Sequence, residues 1–234
     1  MARALADACQ DAVYSYAGRT ATPAPQPLPQ RSGGFGGTPG LINYLQTTSI
    51  THVIDATHPF AAEMSRHAVA ACSATGTALI ALQRAPWTDI AGDLWTRVPD
   101  VEAAVAALPD APARVFLAIG RQNLTPFAAR PQHHYLLRLV DDPTEALPLP
   151  NAIAIIARGP FTFEDDRNLL TIHNIHRIVA KNSGGSGARA KLDAARALGL
   201  PVILIDRPAV PDRPTVDTVA QVMLWLGHPA PLGV

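Results

Sequence analysis

The stretch IDATHPFAAEMSRH, residues 54 to 67, follows a short apolar run and sets a carboxylate, a hydroxyl and an imidazole close together: Asp55, Thr57 and His58, with Ala56 between. At the carboxyl end of a buried strand, such a set lies where open α/β sheets bind ligands, and His58 has the side chain to move a proton. The plain structural alternative is that Asp55 or Thr57 caps the next helix, with Pro59 in its first turn. A second stretch, AKNSGGSGARAKL, residues 180 to 192, has the same placement before a helix. Lys181, Asn182, Ser183, Gly184, Gly185 and Lys191 offer cations, polar donors and open backbone, a set suited to a phosphate or carboxylate. Arg121 and Gln122 follow another apolar run, RVFLAIG, and Arg84, Arg158 and Arg207 also follow strand-like runs. Any one of these arginines reads as an exposed flank residue; together they predict several cations along one sheet edge.

Two further segments point to a nucleotide. SYAGRTAT places Arg19 and Thr20 after a short strand, with no acid nearby. An acid there suits the ribose of NAD, whereas an Arg suits the 2′-phosphate of NADP; a solvated loop Arg is the bland reading. RSGGFGGTPG, residues 31 to 40, packs five glycines into ten positions. Gly33, Gly34, Gly36 and Gly37 around Phe35 permit positive φ and remove the Cβ that would hold a ligand away. They lead into a helix start, where free N–H groups favour anions, although the spacing is not GxGxxG and a flexible hinge fits too.

The elements that must position these residues alternate. Strands are read at AVYSYAGR, THVIDAT, ALIALQR, RVFLAIGR, HYLLRLV, AIAIIAR, HRIVAKN and PVILIDRP. Helices are read at ARALADACQDA, PGLINYLQTT, PFAAEMSRHAVAACSATG, VEAAVAALPD, TFEDDRNLLTIHN, GARAKLDAARALG and VDTVAQVMLWLG, with another starting at NLTPFAAR. TATPAPQPLPQ, with four prolines, reads as extended loop or edge. Near-continuous apolar strands between helices predict an α/β fold of mainly parallel sheets flanked by helices. There is an internal echo: THVIDATHPF, a helix and TGTALIALQR match HRIVAKNSGG, a helix and LGLPVILIDR, pairing Arg84 with Arg207. It predicts two Rossmann-like halves, residues 1–111 and 112–234. The second half opens on a strand before its first helix; the first opens on a helix, so its first strand and phosphate-binding turn read as missing.

Composition bounds the function. The chain has 234 residues, 48% hydrophobic, and its 19 basic and 19 acidic residues cancel. There is no basic excess for nucleic acid, no run long enough to cross a membrane and no secretory signal pattern, so a cytoplasmic protein is expected. Cys9 and Cys72 are the only cysteines and read as reduced core or near-core residues. No cluster has metal-ligand spacing; His133 and His134 would point opposite ways on a strand. GxSxG is absent and no Cys has an activating charged neighbour, which points to a reaction whose chemistry a cofactor supplies.

GGFGG…GL…YL, VIDATHPFA, RVFLAIGRQ, VAKNSGG.GA.AKL.AARALGLPV and RP resemble the precorrin-6A reductases of cobalamin biosynthesis over nearly the whole chain. DATHPFA followed at this distance by KNSGG is the specific part. The family's opening strand and GGT.EAR turn are not seen; only Ala2 to Ala6 match that region. The resemblance implies NADPH as cofactor and reduction of a double bond of the precorrin-6A macrocycle to precorrin-6B (dihydro-precorrin-6). It implies an NADPH-binding first half using Arg19, Thr20, Gly34, Phe35, Gly36, Gly37, Asp55, Ala56 and Thr57. It implies a precorrin-binding second half using Arg121, Lys181, Ser183, Gly184, Gly185 and Lys191, with His58 and Arg84 reaching the ring. His58 or water would supply the proton. Neighbouring pathway enzymes are the expected partners. A cobalt-containing ring, another NADP-dependent reductase or a tetrapyrrole- or nucleotide-binding module without activity are the alternatives.

Overall fold

The computed structural model describes residues 1–18, 24–140 and 146–227. The chain divides into two compact units, Met1–Arg84 with Ala209–Val234, and Ala85–Pro208.

The first unit holds α1 (Ala2–Asp7), β1 (Tyr14–Tyr16), β2 (Gln30–Ser32), α2 (Gly37–Thr47), β3 (His52–Asp55), α3 (Ala62–Thr75) and β4 (Ala78–Leu82). Its strands form two parallel groups, β1 with β2, and β3 with β4. Helix α3 buries Ala62, Ser65, Ala68, Ala71 and Cys72, one stripe at helical spacing. These small side chains bring Leu41 and Leu45 of α2 close, and Phe35 packs on the same cluster. Gly76 ends α3 in the left-handed conformation at φ 69°, where its N–H bonds Cys72 O.

The second unit holds β5 (Trp95–Val98), α4 (Val101–Ala106), β6 (Arg114–Ala118), β7 (His134–Leu139), β8 (Ala152–Ile156), α5 (Phe163–Ile172), β9 (Arg177–Lys181), α6 (Ala190–Ala197) and β10 (Val202–Ile205). The chain then returns to the first unit as β11 (Thr215–Val216), parallel to β4, and α7 (Val219–Gly227). All six strands of the second unit form one parallel sheet in the order β5-β10-β9-β6-β7-β8. Its central strands are buried on both faces, with Phe116, Ile178, Val179 and Leu204 at 0–1% exposure. Burial of each such side chain contributes about 1.5–3 kcal/mol.

The expected α/β fold of mainly parallel, helix-flanked sheets is present. The echo corresponds to two βαβ units, β3-α3-β4 and β9-α6-β10, each with its strands adjacent and parallel. Other expectations need correction. The boundary lies at Arg84/Ala85 and Pro208/Ala209, not at 111/112, because β5 pairs with β10 and β11 pairs with β4. Strands β2, β5 and β11 were not read from the sequence: they are two to four residues long and lack an apolar run. Helix α1 stops at Asp7, short of the eleven-residue reading, and NLTPFAAR forms two 3₁₀ turns, Arg121–Asn123 and Thr125–Ala129. Pro59 does not open α3, which begins at Ala62. Cys72 is buried as expected, but Cys9 is exposed.

Candidate active site

In the second unit the chain lays down β6, β7 and β8 outward in one direction, then returns to place β9 on the other side of β6. Strand order therefore reverses between β6 and β9, which pair from Val115↔Arg177 to Ala118↔Ala180. At such a reversal the loops leave in opposite directions and open a crevice at the carboxyl ends of the strands. The loop after β6 carries Arg121 and Gln122, both exposed; the loop after β9 carries Asn182, Ser183, Gly184 and Gly185. Lys181 is the last residue of β9. The second-unit candidates Arg121, Lys181, Ser183, Gly184 and Gly185 thus come together at this edge.

The Ser183–Gly185 loop is braced from two sides. Arg207 Nε donates to Asn182 O at 2.9 Å, and its NH2 group donates to Ser183 O at 3.2 Å. The Asn182 side chain accepts the Trp87 backbone N–H at 2.8 Å and donates to Trp87 O at 3.0 Å. The Trp87 indole Nε1–H donates to Gly185 O at 2.7 Å. Gly184 has φ +69°, and a Cβ there would lie 2.1 Å from Ala85 O, so only glycine fits. With these carbonyls turned toward protein donors, the N–H groups of buried Gly184 and half-buried Gly185 have no acceptor among the described residues. Such unclaimed backbone donors suit an anionic group.

Lys191, in the first turn of α6, is buried and donates to Ala188 O, with its Nζ 5.1 Å from the Trp87 ring centre. Burial pushes its ammonium down to about 8; Arg138 adds to this and Asp166 opposes it. Arg138, near the end of β7, forms a buried ion pair with Asp166 and stacks 3.7 Å from the Phe161 ring centre. Asp166 faces inward because a capping box starts α5 at Thr162, whose hydroxyl accepts the Asp165 N–H at 3.1 Å. Trp87, Arg138 and Asp166 were missed from the sequence. A charged residue inside the apolar run HYLLRLV was the available signal for Arg138; nothing local marks Trp87.

In the first unit, Asp55 is fully engaged. Its carboxylate accepts from the Thr57 hydroxyl at 2.7 Å, the Ser65 hydroxyl at 2.6 Å and the Arg213 guanidinium at 3.2 Å. Thr57 therefore bonds Asp55 and does not cap α3. Arg213, 8% exposed at its side chain, is another residue the sequence reading missed, and its Nε has no partner among the described residues. Ala56 and His58 are exposed; His58 Nδ1 accepts the Phe60 N–H at 3.2 Å, which assigns the proton of the neutral ring to Nε2. Arg84 is exposed just after β4.

The glycine loop lies between β2 and α2. Arg31 donates to Ser15 Oγ, Gly33 O and Gly34 O, and its guanidinium lies 3.9 Å from the Phe35 ring centre. Gly36, at φ +83°, caps α2 without a side-chain hydrogen bond, so the first-turn N–H groups stay available. A Cβ at Gly34 or Gly36 would meet nothing within 4 Å, leaving open space for close approach by a phosphate. Arg19 and Thr20 lie outside the described residues.

A cavity of about 230 Å³ lies at the opposite end of the six-stranded sheet, lined by Arg114, His134, Tyr135, Asn151 and neighbours at the amino ends of β6, β7 and β8. It contains none of the candidate residues and is the wrong edge for a parallel sheet. Among the described residues, no group of three or more His, Cys, Asp or Glu could hold a metal ion, and no helix is long and apolar enough to cross a membrane.

Comparisons with known proteins bear on both units. Residues 1–227 match the family model described as precorrin-6x reductase CbiJ/CobK. The precorrin-6A reductase of Rhodobacter capsulatus is 65% identical over 226 residues, covering 97% of this chain and 90% of the relative. That of Sinorhizobium sp is 48% identical over 229 residues, covering 97% of this chain and 88% of the relative. The cobalt-precorrin-6A reductase of Priestia megaterium is 29% identical over 180 residues, covering 73% of this chain and 70% of the relative. A solved structure, CobK precorrin-6A reductase, superposes with a TM-score of 0.94 at 64% identity, covering all of this chain and 94% of its own. A match over nearly the whole length, with the fold and the sequence agreeing, places this chain in the precorrin-6x reductase CbiJ/CobK family.

Proposed function

We propose that this chain is an NADPH-dependent oxidoreductase that reduces a double bond of the precorrin-6A macrocycle to give precorrin-6B, in the cytoplasm. The observation that carries the reading is the strand reversal between β6 and β9, edged by Arg121, Lys181 and the unpaired backbone N–H groups of buried Gly184 and half-buried Gly185. A macrocycle rich in carboxylates needs cations and backbone donors of this kind. The identity favours the metal-free ring: 65% and 48% to precorrin-6A reductases against 29% to a cobalt-precorrin-6A reductase.

The first unit is the proposed holder of NADPH. Its glycine loop fits a phosphate, through open space at Gly34 and Gly36 and uncapped N–H groups at the start of α2. Asp55 contributes by fixing the loop that follows β3, since its carboxylate is already claimed by Thr57, Ser65 and Arg213. NADPH, when bound, supplies the hydride. The protein then has to bind and orient the ring and deliver a proton, and needs no nucleophile of its own. His58 or water is the proposed proton donor, and His58 fills that role only as the imidazolium, which gives up the Nδ1 contact to Phe60 N–H; Arg84, Arg121, Lys181, Ser183 and Lys191 are the proposed substrate contacts. Enzymes that make and consume this macrocycle are the proposed partners.

The test is NADPH oxidation with metal-free precorrin-6A, followed by product mass. Turnover with a gain of two hydrogens supports the reading. Turnover only with the cobalt-containing ring transfers it to the cobalt branch, and binding of the ring without NADPH oxidation replaces it with a carrier role.

A further inference from the structure

The loop proposed to meet the substrate carboxylates is short, glycine-rich and without secondary structure of its own from Asn182 to Gly185. Left to itself such a segment samples many conformations, and ordering it on binding costs affinity. It is instead held in one conformation. Three hydrogen bonds join it to Trp87: two through the Asn182 amide, at 2.8 and 3.0 Å, and one from the indole to Gly185 O, at 2.7 Å. Trp87 is 5% exposed and packs in the main core of the second unit, so it is a fixed point. Lys191 stands over the same ring. Ala85, two residues before Trp87, lies where any Cβ on Gly184 would go.

We infer that Trp87 is a positioning residue for substrate binding: its indole N–H and its Asn182-gripped backbone fix the Ser183–Gly185 backbone so that the N–H groups of Gly184 and Gly185 stand ready for a carboxylate. The inference rests on the reading of this edge as the macrocycle site. Trp87 touches no reacting atom; it acts through the loop. The interaction with a carboxylate is the same before and during hydride transfer, so its loss weakens binding without slowing the chemical step.

Trp87→Phe keeps the aromatic bulk and removes one donor. The expected result is a KM for precorrin-6A raised about tenfold, the factor that about 1.4 kcal/mol produces, with kcat and the KM for NADPH unchanged. An unchanged KM for precorrin-6A in Trp87→Phe, with a raised one in Lys181→Ala, overturns the positioning role and leaves the macrocycle site standing. An unchanged KM in both variants overturns the macrocycle site and the positioning role together. Should Trp87→Phe not fold, the indole resonance of Trp87 in the unmodified protein serves instead, identified by elimination with Trp95→Phe and Trp225→Phe. Tricarballylate at millimolar concentration, as a carboxylate probe, is expected to shift it; no shift overturns the inference.

Discussion

Asn182→Ala tests how firmly the loop after β9 is held. Asn182 is 1% exposed, and its amide makes both of its side-chain hydrogen bonds to the backbone of Trp87. Alanine leaves that N–H and that C=O buried and unpaired. Each orphaned group costs about 1–3 kcal/mol, so the expected destabilisation is about 3 kcal/mol. That lowers the Tm of the second unit by roughly 10 °C. Calorimetry is the suitable assay, since it separates the transitions of two units. Asn123→Ala is the control: its half-buried amide donates to Ile119 O at 3.2 Å, and its loss costs about 1 kcal/mol or less. An Asn182→Ala protein within about 0.5 kcal/mol of the unmodified one would refute the reasoning, because Trp87 would then be finding other partners with ease.

Asp55→Ala removes the only counter-charge that the buried Arg213 side chain has among the described residues and is expected to destabilise by about 3–5 kcal/mol; adding Arg213→Met is expected to restore much of it, read from urea unfolding. Lys191→Met is expected to stabilise at pH 7 by about 3 kcal/mol, because the buried ammonium has been pushed down to about 8. The folded chain binds fewer protons than the unfolded chain between pH 8 and the ordinary lysine value. Stability of the unmodified protein relative to Lys191→Met therefore rises with pH across that window, and a flat difference in unfolding free energy from pH 7 to 10 would refute the buried-cation account. Cys9 is expected to react with a maleimide in the native state while Cys72 does not, because burial and the nearby Asp55 charge push the Cys72 thiol up to about 11; two equivalents incorporated without denaturant would contradict this.

The local part of this protein was legible in its sequence. Apolar runs of strand length between helical stripes determine parallel, helix-covered sheets, since a strand buried on both faces must be apolar throughout. The placement of Lys181–Gly185 and Arg121 directly after such runs puts them at one edge of the second sheet. The echo between β3-α3-β4 and β9-α6-β10 was visible because each is one continuous stretch of chain.

Tertiary structure decided what depends on partners far apart in the chain. The division into units follows from β5 pairing with β10 and β11 with β4, contacts that no local period announces. Asp55 reads as a ligand-binding carboxylate at a strand end; that it also bonds Ser65 and Arg213, the latter far along the chain, only the tertiary structure shows. Asn182 looked like one polar donor among several, yet its partner Trp87 lies 95 residues away. Residue type and spacing tell which groups are able to bond. Which bond they make depends on what the fold brings within about 3 Å, and that is set by packing over the whole chain.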